Sequence, residues 1–128
     1  MQPIILALSL LIATGITHAD SPHVESKVLL QSSPVAGYRY HEGKAVWSEL
    51  NVGDTLDLVR EPDNPYDPLA VRVDWHSHVL GYVPRRDNRG VAHALDRGEK
   101  VEAKIVKLRR SRNPRERILF EIYLPVKK

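Results

Sequence analysis

The sequence predicts a mainly β fold, a small closed or nearly closed barrel of about six strands with two short helices. Three observations lead there. Apolar residues recur with a period of two along most of the chain, only two stretches carry helical spacing, and turn residues break the runs at short intervals. That many strands in roughly 100 residues leave exposed edges unless the sheet curls onto itself.

The elements follow in order. Val28 to Gln31 and Val35 to Tyr40 are short β-prone runs, and Lys44 to Leu50 can form a short helix that packs Val46, Trp47 and Leu50 before Asn51 to Gly53 stop it. Thr55 to Arg60 alternates until Glu61-Pro62. Ala70 to Trp75 points Val71 and Val73 to one side, and His78 to Val83 ends at Pro84. Asp87 or Asn88 can cap a helix with an apolar face of Val91, Ala94 and Leu95, and Gly98 is placed for the left-handed residue beyond its end. Val101 to Leu108 and Ile118 to Leu124 flank the turn Ser111-Arg112-Asn113-Pro114 and read as a hairpin.

Composition bounds the stability and the partners. With 42% hydrophobic and 27% charged residues in 128, the chain suits one small domain. It has no cysteine, which excludes disulfides and thiolate zinc sites, so a packed core must hold it. Charge is split along the chain. Residues 20–83 hold five basic against ten acidic side chains, whereas residues 84–117 hold twelve basic against five acidic. The densest basic part, Lys104 to Arg117, suits a polyanion and equally suits a solvated hairpin tip.

Residues 1–19 carry no charged side chain and read as a secretory leader, with small side chains at Thr17 and Ala19 for cleavage before Asp20. The apolar run is shorter than the roughly 20 residues a bilayer-spanning helix needs, so an uncleaved anchor is the lesser alternative. The expected organisation is a leader over 1–19, a linker over 20–26 and one domain over 27–126, exported to a periplasmic or extracellular space.

The segment Arg60-Glu61-Pro62-Asp63-Asn64-Pro65-Tyr66-Asp67-Pro68 places three prolines in seven residues. Proline fixes its own φ and extends the residue before it, while Asn and Asp bond neighbouring amides, so the loop is stiff before any ligand arrives. Stiffness favours recognition. An ordinary proline turn between strands has the same composition.

Four stretches together resemble the HIRAN domain: Val35-Ala36-Gly37-Tyr38-Arg39-Tyr40; Gly53-Asp54 with Leu56 and Leu58-Val59-Arg60-Glu61-Pro62; Asn64-Pro65-Tyr66-Asp67 with Ala70-Val71-Arg72-Val73; and Gly81-Tyr82-Val83-Pro84. The resemblance spans about residues 27–125. It implies a barrel like the oligonucleotide-binding fold with added helices, and a module that captures the 3′ end of single-stranded DNA. By the same resemblance Arg39 and Tyr40 meet the terminal nucleotides, Tyr66 and Asp67 stack on and hydrogen-bond the end, Asn64 belongs to the same loop, and Arg85 contacts phosphate. His41 stands where some members have another aromatic residue. Strict strand alternation would send Arg39 and Tyr40 to opposite faces, so both are expected where the strand bends or ends.

The residue types suit that chemistry. A tyrosine face accepts any base, arginine pairs with phosphate, and a carboxylate accepts a bond from a free 3′-hydroxyl. His76 and His78 have a spacing metal sites sometimes use, but fit a solvated turn better, and Trp47 and Trp75 fit core or barrel-rim packing better than a stacking platform. No nucleophile triad, phosphate-cradling glycine loop or catalytic carboxylate pair stands out. The expectation is a non-enzymatic binding module with no cofactor or metal and with a single-stranded nucleic acid end as partner. The alternative is an envelope interaction protein whose groove takes a peptide or anionic glycan.

Overall fold

The computed structural model describes residues 26–126, together with Gly15. The expected leader, apart from Gly15, and the expected linker up to residue 25 lie outside the described residues. Six strands form, β1 (Lys27–Pro34), β2 (Thr55–Glu61), β3 (Ala70–Trp75), β4 (His78–Tyr82), β5 (Glu102–Leu108) and β6 (Ile118–Pro125). Two short helices join them, α1 (Gly43–Val46) and α2 (Arg89–Asp96).

The alternation read in the sequence becomes burial. Ile118, Phe120 and Ile122 of β6 and Ala103 and Ile105 of β5 point into the core, and Val71 and Val73 of β3 are fully buried. Tyr38, Leu80 and Val91 close the core from the first turn, β4 and α2. The predicted helix over Lys44 to Leu50 is α1 continued by a 3-10 turn over Trp47–Glu49, with Val46 and Leu50 buried. Helix α2 ends as expected at Gly98, where the Gly98 and Glu99 amides satisfy the Leu95 and Ala94 carbonyls at 3.0 Å each. Asn88 holds the cap position without a side-chain capping bond, and its Nδ2 donates to Asp67 Oδ2.

Two expectations are corrected. The first is the strand over Val35 to Tyr40. Gly37 adopts φ 72, a left-handed backbone that breaks an extended run, and Tyr38–Tyr40 then form a 3-10 turn. The second is closure of the barrel. All neighbours pair antiparallel in the order β1-β6-β5-β2-β3-β4, which leaves β1 and β4 as edges of an open sheet. Irregularities in register at Leu29/Gln31, Val73/Asp74 and Ile105/Lys107 increase its curl. Just past the end of β1, Ala36 then bridges to Tyr82 of β4, exchanging hydrogen bonds of 2.8 and 2.9 Å.

Glycine is required at that seam. A Cβ on Gly81, whose φ is 155, would lie 2.2 Å from the Ala36 carbonyl oxygen. The contact between the segment after β1 and β4 therefore depends on a missing side chain. Directly beyond it, the chain turning at Gly37 faces the proline-rich loop that follows β2.

Candidate functional site

The loop between β2 and β3 is stiffened by its own side chains. Asn64 Oδ1 accepts the Tyr66 and Asp67 amides at 2.9 and 3.2 Å, and its Nδ2 donates to Glu61 Oε1 at 3.1 Å. Asp67 Oδ1 accepts the Leu69 amide at 2.9 Å, while Oδ2 accepts the amide of the buried Asn88 at 2.7 Å. The loop is thus tied to β2 at one end and to the start of α2 at the other. Burial works against the charge on Asp67, but these two bonds and the Arg85 and Arg60 charges outweigh it and hold the carboxyl below its usual range.

Behind the loop runs a network that sequence reasoning missed. Arg72 donates from Nε and Nη2 to both oxygens of the buried Asp74 at 2.8 and 2.9 Å, and from Nη1 to Glu61 Oε2 at 3.0 Å. Glu61 Oε1 also accepts the Tyr82 hydroxyl at 2.7 Å. Burial opposes the Glu61 charge, and Tyr82, Asn64 and Arg72 together pull its carboxyl down. Burial and the bond to Glu61 push the Tyr82 hydroxyl up to about 12. The clue available in the sequence was alternation, since Arg72 and Asp74 share a face of β3. That they meet Glu61 and Tyr82 depends on strand order.

Between the loop and the Gly37 turn lies a recess of about 420 Å³. Tyr66, Asp67 and Arg85 line it, with Asn64 and Pro65 from the same loop. Tyr82 and His41 contribute facing rings, with centroids 5.6 Å apart and planes at 57°. Tyr66 is 85% exposed, so one aromatic ring stands in solvent on a fixed loop. Arg85 makes no ion pair among the described residues.

Four of the six residues singled out in the sequence, Asn64, Tyr66, Asp67 and Arg85, therefore converge on one recess. Arg39 and Tyr40 do not line it. They sit on the 3-10 turn between Gly37 and His41, which both do, and the Arg39 guanidinium lies 5.0 Å from the Tyr40 ring centre. Tyr40 is 75% exposed at this rim. The turn geometry removes the alternation problem, since neither side chain belongs to a strand. Asn64 serves the loop itself, because its amide is used inside it.

His76 and Ser77 form the left-handed two-residue turn between β3 and β4, with φ values of 43 and 66. Trp75 is buried and donates to Asp54 at 3.0 Å. Among the described residues no group of three or more His, Asp or Glu side chains is arranged to hold a metal ion, and no helix is long and apolar enough to cross a membrane.

Comparison with known proteins places this architecture. Residues 28–127 match the family described as the HIRAN domain. A Fanconi-associated nuclease 1 homolog from Oryza sativa subsp. japonica is 33% identical over 76 residues, which are 56% of this chain and only 8% of that protein. A crystal structure of a Lactobacillus plantarum protein superposes with a TM-score of 0.67 at 28% identity, covering 77% of this chain and 95% of that one. The HIRAN domain of human HLTF has the same fold, with a TM-score of 0.62 at 23% identity over 80% of this chain and 81% of its own.

Proposed function

The chain belongs to the HIRAN domain family, and from that premise we propose that it is a binding module for the 3′ end of single-stranded nucleic acid. The observation that carries the reading is the recess in which an exposed tyrosine, an unpaired arginine and a carboxylate meet on a loop already locked by Asn64. In this reading the terminal base lies on the Tyr66 ring, a contact of roughly 1–3 kcal/mol. Arg85 holds the adjacent phosphate. Asp67 accepts the 3′-hydroxyl, because each of its oxygens has one bond and a carboxylate offers about four acceptor positions. The same negative charge repels a 3′-phosphate.

Little entropy is lost on binding because the loop is already ordered. Arg39 and Tyr40 at the rim take the nucleotide before the last. The module does no chemistry of its own in this reading. We also propose export, on the strength of residues 1–19; the intact mass of protein recovered from an extracytoplasmic fraction checks it by showing whether the chain begins at Asp20.

Fluorescence anisotropy against oligonucleotides ending in 3′-hydroxyl, 3′-phosphate or only a free 5′ end, at two salt concentrations, tests the reading. The expected order is 3′-hydroxyl first, with Tyr66→Ala losing about tenfold or more on that ligand. Equal affinity for all ends, unchanged by Tyr66→Ala, overturns end capture and moves the groove toward a peptide or anionic glycan.

A further inference from the structure

The terminal recess has a neighbour. A second cleft, of about 330 Å³, shares Ala36, Gly37 and Arg85 with it and carries Arg86 and Arg115 on its walls. Arg115 lies in the 3-10 turn Pro114–Glu116 of the β5–β6 connection. Arg110, Arg112 and Arg117 of the same connection line, with Trp47, a third recess of about 450 Å³.

These arginines differ in what they already hold. Arg117 is anchored, donating to the Ser111 carbonyl at 2.9 Å and lying 5.4 Å from the centre of the Tyr38 ring. Arg110, Arg112 and Arg115 are exposed and make no ion pair or side-chain hydrogen bond among the described residues. The nearby acid Glu116 accepts the Ser111 hydroxyl at 3.0 Å. Trp47 packs against the core and still lines the recess, so it offers a fixed aromatic surface beside free guanidinium groups. Aromatic surface next to unpaired positive charge is what a single strand uses at each nucleotide.

We infer that the β5–β6 connection is a second nucleic-acid subsite that takes the strand upstream of its 3′ end. The strand leaves the terminal recess past Arg85, crosses the cleft between Arg86 and Arg115, and reaches Arg110, Arg112 and Trp47. This rests on the end-capture reading for its direction. It also absorbs the basic block of the sequence, most of whose charge the terminal recess does not use. The subsite reads phosphate and base faces, so it is indifferent to sequence and to which end is free.

The test uses the full chain and a variant carrying Arg110→Gln, Arg112→Gln and Arg115→Gln, with 3′-hydroxyl oligonucleotides of roughly two, four and eight nucleotides, around the site sizes of small barrels. Expected for the unaltered chain are affinity that rises with length and quenching of tryptophan fluorescence by the longer strands alone. Expected for the variant are no gain with length, a log-log salt slope shallower by roughly 2 on the longest strand, and an intact preference for the 3′-hydroxyl. Equal affinity at every length, or a length gain that survives in the variant, overturns the second subsite while leaving end capture standing. A length gain lost in the variant without any end preference overturns end capture instead and supports the arginine recess as a strand site by itself.

Discussion

Arg72 and Arg112 carry the same guanidinium and do opposite work. Around Arg72, charge is paired with charge: Asp74 and Glu61 accept its three hydrogen bonds, Tyr82 and Asn64 both donate to the other oxygen of Glu61, and Arg60 lies 3.0 Å from Asp96. Around the β5–β6 connection, Arg110, Arg112 and Arg115 are exposed and make no ion pair among the described residues. One region spends its electrostatics on holding β2, β3 and β4 and the proline-rich loop in place. The other keeps its charge available. A paired arginine is expensive to remove from the fold, and an unpaired one is expensive to remove only from a complex.

Removing Arg72 breaks the comparison most severely. Arg72→Met leaves Asp74 buried and Glu61 half-buried without their cation, and is expected to cost about 3 kcal/mol in chemical denaturation. Asn64→Ala follows, at about 2 kcal/mol for three lost bonds around one side chain. Its sharper signature is in binding. Affinity for a 3′-hydroxyl strand should fall in calorimetry with a larger entropic penalty, since the loop must then be ordered by the ligand.

Tyr82→Phe is expected to cost about 1.5 kcal/mol, the worth of a hydrogen bond to a charged acceptor. It also has a pH signature. The Tyr82 value in the fold lies above the ordinary 10.0, so the stability it contributes is complete below pH 10.0 and drains as pH rises toward about 12. Melting temperature measured across that window should fall less steeply in the Phe variant. Glu61 and Asp67 have the opposite sign. Their carboxyls are lowered, so what they contribute is present above the ordinary carboxylate values and is lost as pH falls through the lowered ones. The smallest stability effect belongs to Arg112→Gln, which should stay within about 0.5 kcal/mol of the unaltered protein. A larger loss would mean that this arginine is structural after all, and the contrast with Arg72 would disappear.

The Gly37 turn shows where reading by pattern stops. Val35 to Tyr40 has the composition of a strand, and five of its six residues would be comfortable in one. A single left-handed residue diverts it into a 3-10 turn, and that diversion places His41 in the recess and sends Arg39 and Tyr40 to the rim. Asn88 makes the same point at α2. Its position as cap was legible, but the partner of its amide was not, because Asp67 lies 21 positions earlier and reaches it only through the tertiary fold.

By itself the sequence determined the local states. Period-two alternation marked β2 through β6, the Schellman ending at Gly98 closed α2, and the Asn-Pro-Tyr-Asp loop carried both its own stiffening bonds and the family resemblance, because each of these depends on residues a few positions apart. Only the tertiary structure decided the order of the strands, the open seam at Ala36 and Tyr82, the Arg72 network and the split between paired and unpaired arginines. Those features join residues of different elements, such as Glu61 and Tyr82, 21 positions apart. Which of them meet is set by burying one common core, a condition on the whole chain that no short stretch of it contains.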